Sequence, residues 1–256
     1  MISVTMLCSY LYCPKKFYDQ YVLRIKEPPN APMVKGFIKH VVFDFANKRE
    51  KEIILGFLSS TSLEDLEISY KGLYNKILLK EISNKKTDLG KLELGEKEVY
   101  KELWPFFLFE AKDKAKEIFD FAKKNNVYGE SLWFKLPKPI SELRIQSSEL
   151  QLKGVIDKVE KIGNTFIPIE IKTGRAPDSG IWKGHKIQLA AYILLLSEHY
   201  GVEVKEGYVD YKEAGKRKLV MNPFVRDEVL EIRDKVLAVL DLKEAPACGC
   251  GRCVTS

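Results

Sequence analysis

The stretch Leu152-Lys-Gly154-Val-Ile-Asp157-Lys-Val159, then Lys161-Ile-Gly-Asn164, then Phe166-Ile-Pro-Ile-Glu170-Ile-Lys172 decides how the rest of the chain is read. Leu152 to Val159 is rich in strand-favouring residues, Lys161 to Asn164 has the composition of a tight turn, and a second strand follows. In that strand Phe166, Pro168, Glu170 and Lys172 alternate with Ile167, Ile169 and Ile171, so the two sets take opposite faces. Two neighbouring strands thereby bring Asp157, Glu170 and Lys172 to one edge. Both carboxylates sit inside apolar runs, where an uncompensated charge is costly without a cation. Two carboxylates plus a carbonyl or water oxygen suit a hard divalent ion, magnesium or manganese. The lysine can orient a water, help deprotonate it, or offset charge growing on a phosphate. Together these are the parts needed for phosphodiester hydrolysis.

Working outward, Trp182 to Tyr200 reads as a helix stopped by Gly201. On it Gln188 and Tyr192 share a face, four residues apart. Taken alone they would be ordinary helix-surface residues; beside the carboxylates they can reach the lysine, a phosphate or a base, with Lys183, His185 and Lys186 lining the approach. Val204–Tyr211 and Arg217–Met221 form a hairpin around Ala214-Gly215, and Phe224–Leu242 is a closing helix. Upstream, Tyr128–Leu136 and Glu142–Gln146 are expected as strands. Met33 to Ser59 has an amphipathic helical pattern carrying Gly36-Phe-Ile-Lys-His40. Thr61 to Asn126 reads as further helix: Ser62-Leu-Glu-Asp65 is a capping-box start, Thr87-Asp-Leu-Gly a connection, and Glu96–Lys124 a long helix interrupted near Pro105. Lys112, Lys114, Lys116, Lys123 and Lys124 make either a solvated face or a phosphate-facing one. Ser9 to Tyr21 is a short aromatic helix whose rings enter a core or, with Lys15 and Lys16, stack on single-stranded bases.

At 256 residues the chain can hold one sizeable core, or a core with a subdomain. The composition, 45% hydrophobic and 30% charged, is that of a globular protein. No apolar run is long enough to span a membrane, and the N-terminus lacks the order of a signal peptide, so a cytoplasmic location is expected. The net charge of +6 (42 basic against 36 acidic residues) permits a polyanionic partner without requiring one. In that setting five cysteines are read as metal ligands or reduced thiols rather than disulfides.

Asp157, Glu170-Ile-Lys172 and Gln188-x3-Tyr192, in that order, resemble the RecB-like branch of the PD-(D/E)XK nucleases. The resemblance implies an α/β restriction-endonuclease-like core, a mixed sheet flanked by helices. It also implies a metal-ligating histidine in a G-x3-H setting, which His40 matches. The metal set would then be His40, Asp157, Glu170 and the backbone carbonyl of Ile171, with Lys172, Gln188 and Tyr192 completing the catalytic group.

Cys8 and Cys13 lie at one end of the chain and Cys248-x-Cys250-x2-Cys253 at the other. The dense tail suits thiolate binding of zinc or an iron–sulfur cluster and needs a fourth ligand from elsewhere. Cys13, in Cys13-Pro14-Lys-Lys-Phe17-Tyr18, is the candidate. One such N-terminal cysteine with three at the C-terminus resembles the CRISPR-associated exonucleases of the Cas-four family, and the same clasp occurs in AddB-type helicase–nucleases. The resemblance implies a cluster, usually 4Fe–4S, held by Cys13, Cys248, Cys250 and Cys253. The family's tail cysteines are generally more widely spaced, which leaves Cys8 as an alternative ligand. The expected divisions are 1–32 (N-terminal part of the clasp), 33–127 (helical region with the histidine motif and a helical insertion), 128–243 (nuclease core) and 244–256 (cysteine tail). The implied function is a metal-dependent DNA exonuclease, 5′→3′ on single-stranded or frayed ends, serving CRISPR spacer acquisition beside the integrase complex. A viral or chromosomal homologue serving repair fits the same residues. The rival reading is a non-catalytic or complex-dependent DNA-binding subunit.

Overall fold

The computed structural model describes residues 1–251. In chain order the elements are β1 (Ile2–Ser3), α1 (Val4–Tyr12), α2 (Pro14–Tyr21), α3 (Ala31–Leu55), α4 (Leu63–Asn84), α5 (Lys86–Lys91), α6 (Glu96–Asn125), α7 (Gly129–Lys135), β2 (Ile140–Ser147), β3 (Leu152–Ile162), β4 (Thr165–Lys172), α8 (Lys183–Tyr200), β5 (Glu206–Tyr211), β6 (Gly215–Val220) and α9 (Pro223–Leu240). They divide into two units, one made of Met1–Glu27 with the chain from Lys138 onward, the other of Pro28–Pro137.

The first unit is the α/β core. Its sheet runs β1-β3-β4-β5-β6, with β2 also paired to β3. β2 and β4 are antiparallel to β3, whereas β1 pairs parallel with β3 and β5 parallel with β4. A parallel neighbour needs a crossover, and α8 supplies it between β4 and β5. α8 is buried along most of its circumference, through Ile187, Leu189, Ala190, Ala191, Ile193, Leu195 and Leu196. It is covered on one side by the sheet and on others by α1 and α9. Burying each of its Ile or Leu side chains contributes about 1.5–3 kcal/mol. Tyr200 fixes its far end by stacking on Phe166, ring centroids 3.9 Å apart.

β1 and β4 use the same edge of β3, because β2 occupies the opposite edge from Leu152 to Val159. β4 pairs with Lys158–Ile162 and β1 with Leu152–Lys153. Between them Gly154–Asp157 has no strand on that edge among the described residues. β4 therefore leaves β3 just where Asp157 and Glu170 follow the last pair, Lys158↔Ile169.

The aromatic N-terminal segment is two helices. Pro14 disfavours helical backbone at the residue before it, and Cys13 is accordingly extended (φ −164°, ψ 112°). Its Sγ accepts the Lys16 N–H at the start of α2. Phe17 and Tyr18 enter the core, while Tyr12 stays exposed.

The second unit is all helix, packed around Val34, Ile38, Val42, Tyr70, Leu78, Leu103, Phe107 and Ile118. Three expectations are corrected here. Tyr128–Leu136 is not a strand but contains α7, whose Leu132 is fully buried and whose Gly129 N–H donates to the Phe57 carbonyl. Thr87–Gly90 is not a connection but part of α5, pinned by buried Leu89. α6 is continuous through Pro105, because burial of Leu103, Phe107 and Ala111 on either side offsets the hydrogen bond that proline removes. The lysine run is largely structural. Lys114 pairs with Glu50 at 3.0 Å, Lys116 with Asp120 at 2.7 Å, and Lys123 donates to the Ser59 carbonyl.

Candidate active site

The site of the core unit grows from the parting of β3 and β4. Asp157 reaches across it, and its Oδ2 accepts the Ile171 N–H at 2.8 Å, so a carboxylate takes the place of a ladder carbonyl. Glu170 and Lys172, on one face of β4, turn toward α8. Glu170 is 4% exposed. The Lys172 ammonium donates to Glu170 Oε1 and to Gln188 Oε1, each at 2.8 Å. Gln188 returns its amide to Glu170 Oε1 at 2.7 Å and to the Tyr192 hydroxyl at 3.3 Å. One glutamine thus locks the lysine and the glutamate into a closed triangle, and the spacing from Gln188 to Tyr192 is one helical turn on the buried face.

Burial acts to lower the pKa of Lys172. The charge and hydrogen bond of Glu170 outweigh it, with Asp157 and Cys8 adding to them, and the net shift is upward. Burial is also the main cause of the upward shift of the Tyr192 phenol, reinforced by Glu170. Lys172 is accordingly held as a cation and Tyr192 as a neutral hydroxyl.

Cys8 is a member of this site that the sequence did not announce. It lies on α1 with its Sγ 3.4 Å from the Gly184 carbonyl and 3.9 Å from Gln188 Oε1. Burial raises its thiol to about 11, with Lys172 opposing and Glu170 adding. A lone cysteine in an amphipathic helix carries no signal of such a position, which follows from α1 packing on α8.

His185, in the first turn of α8, meets the Tyr211 hydroxyl through Nδ1 at 2.8 Å. Burial, followed by the charge of Lys172, lowers its pKa to about 4. Lys186 and Lys183 are occupied by Glu228 of α9, at 2.8 and 3.5 Å. His40 belongs to the helical unit, where it is exposed on α3, one turn after Gly36.

The oxygen donors of Asp157 and Glu170 match the preference of a hard divalent cation. A second, chemically distinct cluster joins the ends of the unit. Cys13, Cys248 and Cys250 offer sulfur atoms that all lie within 4.8 Å of one another. The Cys13–Cys248 separation is 3.6 Å, too long for a disulfide. Convergent thiols of this kind fit a thiophilic metal or an iron–sulfur cluster. Cys253, the expected fourth ligand, lies outside the described residues. Cys8, the alternative, is with Gln188 and Gly184 rather than with these thiols.

Comparison with known proteins agrees with this geometry. Residues 1–253 match the family model of the PD-(D/E)XK nuclease superfamily. The chain is 32% identical over 108 residues to a CRISPR-associated exonuclease Cas4/endonuclease Cas1 fusion of Leptospira interrogans, covering 40% of this chain and 18% of that protein. It is 28% identical over 104 residues to the CRISPR-associated exonuclease Cas4 of Francisella tularensis subsp. novicida, covering 41% of this chain and 51% of that one. The DNA replication ATP-dependent helicase/nuclease dna2 of Schizosaccharomyces pombe is 27% identical over 225 residues, covering 83% of this chain and 14% of that protein. The matched regions thus span about half or less of these relatives. With the family's Asp, Glu-x-Lys and Gln-x3-Tyr gathered at one site and the match running almost end to end, the chain belongs to the PD-(D/E)XK nuclease superfamily.

Proposed function

We propose that the protein is a divalent-metal-dependent DNA exonuclease that acts on single-stranded or frayed ends with 5′→3′ polarity. The observation that carries this reading is the Lys172–Glu170–Gln188 triangle. A buried lysine held between a carboxylate and an amide, next to a second carboxylate, is a costly arrangement that a passive binding module does not need. Asp157, Glu170, the Ile171 carbonyl and His40 are the proposed metal ligands. The cation, manganese or magnesium, would neutralise charge on the scissile phosphate and activate a water. Lys172 donates to a phosphate oxygen as negative charge builds on it. Gln188 holds Lys172 and Glu170 in register, and Tyr192 braces Gln188 from below.

Cys13, Cys248, Cys250 and Cys253 are the proposed ligands of a 4Fe–4S cluster that ties the N-terminal helices to the C-terminal tail. It sits apart from the triangle and adds stability rather than chemistry. The biological role we infer is the processing of DNA fragments for CRISPR spacer acquisition, beside an integrase. It is supported by the similarity to a Cas4 exonuclease that is fused to a Cas1 endonuclease.

The deciding experiment is digestion of end-labelled single- and double-stranded DNA with manganese after anaerobic purification. Wild type is compared with Glu170→Ala and Lys172→Ala. Cleavage by wild type alone, with DNA binding kept in both variants, is the expected result. An intact, iron-loaded wild type that binds DNA without cutting it would make the protein a DNA-binding subunit that works only within a complex.

A further inference from the structure

Tyr211 and Lys172 are direct neighbours across β4 and β5. The buried Tyr211 hydroxyl receives the Trp182 N–H at 3.2 Å and faces His185 Nδ1 at 2.8 Å. A phenol has one proton to give. With the Trp182 amide donating to the oxygen, Nδ1 at 2.8 Å stands within reach of that proton. With the phenol as the donor of that pair, His185 carries its own hydrogen on Nε2. The ring stays uncharged because burial and Lys172 disfavour its protonated form.

The placement of His185 is as informative as its tautomer. Tyr192, Gln188 and His185 occupy successive turns of one face of α8. Tyr192 lies over β3 at Gly154, Gln188 engages Glu170 and Lys172 of β4, and His185 engages Tyr211 of β5. The helix crosses the strands so that each turn serves the next one along. Gln188 works on the reacting pair, and His185 is one turn closer to the open start of the helix, half-buried where the other two are buried.

We infer that His185 is a further substrate-binding residue of this site, donating its Nε2–H to a non-bridging oxygen of the nucleic-acid phosphate engaged by Lys172, and that Tyr211 is the positioning residue that fixes its tautomer. The inference rests on the nuclease reading above and extends it to a residue outside the metal and lysine set. A neutral donor adds orientation without placing a second positive charge beside Lys172. It should therefore act on turnover rather than on electrostatic affinity.

Three variants and three readouts test this. His185→Ala should lower kcat on single-stranded DNA on the order of 100-fold, the cost of removing one oriented donor. Its DNA affinity in calcium should fall by no more than about 10-fold, with the salt dependence of that affinity unchanged, whereas loss of a phosphate-binding lysine would reduce the salt slope by about one. His185→Gln, which keeps an amide donor, should recover part of the lost rate. In 15N spectra of the resting wild type, His185 should show a non-protonated Nδ1 and a protonated Nε2, and the Nδ1 resonance should move in Tyr211→Phe. An oligonucleotide added in calcium should shift the Nε2–H signal, a readout that does not depend on cleavage. Wild-type kcat in His185→Ala, an Nδ1–H tautomer, or no response of Nε2–H to the oligonucleotide would each overturn the assignment. A wild type that fails to cut while Nε2–H still responds to DNA would instead sink the nuclease reading and leave His185 as a DNA contact.

Discussion

Gly154 on β3 packs against the edge of the Tyr192 ring: a Cβ at position 154 would stand 2.6 Å from Tyr192 Cε1 and 3.3 Å from Val4 Cγ2. Neither neighbour can retreat, since both are fully packed in the core. Gly154→Ala is therefore expected to cost about 1–3 kcal/mol by overpacking, read as a lower urea midpoint. Because Tyr192 braces Gln188, cleavage should fall further than the stability loss accounts for. A variant with wild-type stability and activity would mean that the ring has somewhere else to go.

Gln188 is a donor to Glu170 and an acceptor from Lys172 at the same time. Gln188→Leu is of similar size but leaves both partners short of a hydrogen bond in a buried setting, at about 1–3 kcal/mol. Gln188→Glu keeps the acceptor for Lys172 but sets a second carboxylate against Glu170. We expect both to lose cleavage, with the Leu variant losing more stability by calorimetry. Unchanged kcat in the Leu variant would remove Gln188 from the catalytic arrangement.

The depressed pKa of His185, about 4 against an ordinary 6.5, has a signed consequence for stability. Protonation is disfavoured in the folded state, so the unfolded chain binds the proton more readily between those values. The contribution of neutral His185 is complete above pH 6.5 and is lost as pH falls through about 4. Urea midpoints measured from pH 7 to pH 4 should fall more steeply in wild type than in His185→Gln. Parallel curves would show that the ring titrates normally.

Loss of one clasp thiol should be visible without any assay of cleavage. Cys13→Ser or Cys248→Ser, purified anaerobically, is expected to lose most of the bound iron and the absorbance near 400 nm, and to melt at lower temperature. Cys8→Ser should keep the iron, since Cys8 is bonded at the other site. Zinc in place of iron in the wild type would change the identity of the bound group while keeping the clasp.

Much of the site was legible because its signals are local. Asp157 and the Glu170–Lys172 alternation fall on strands whose turn chemistry is plain, and Gln188 and Tyr192 are one helical turn apart. What was not legible depended on long-range packing. The hydrogen bond from Ile171 to Asp157 arises where two strands part, and nothing in either strand states where that occurs. β1 is two residues long and exists because β3 offers it an edge. Cys8 becomes part of the site through α1 resting on α8. In the helical unit, Trp133 and Phe134 of α7 carry strand propensity, but the burial of Leu132 sets the outcome. Pro105 is the reverse case, a helix breaker overruled by its neighbours.

The parallel pairing of Ile2–Ser3 with Leu152–Lys153 gives the order of synthesis a role. The first strand to leave the ribosome has no partner until the chain has grown past Lys153, and Cys13 meets Cys248 later still. Residues 28–137, a contiguous unit, face no such delay. Contacts between distant parts of a chain form slowly because the intervening loop must first be closed. An interrupted translation product could therefore hold Asp157, Glu170 and Lys172 without the closure that secures them. Within the core unit, the meeting of Cys13 with Cys248 therefore comes only after β3, β4 and α8 have been made.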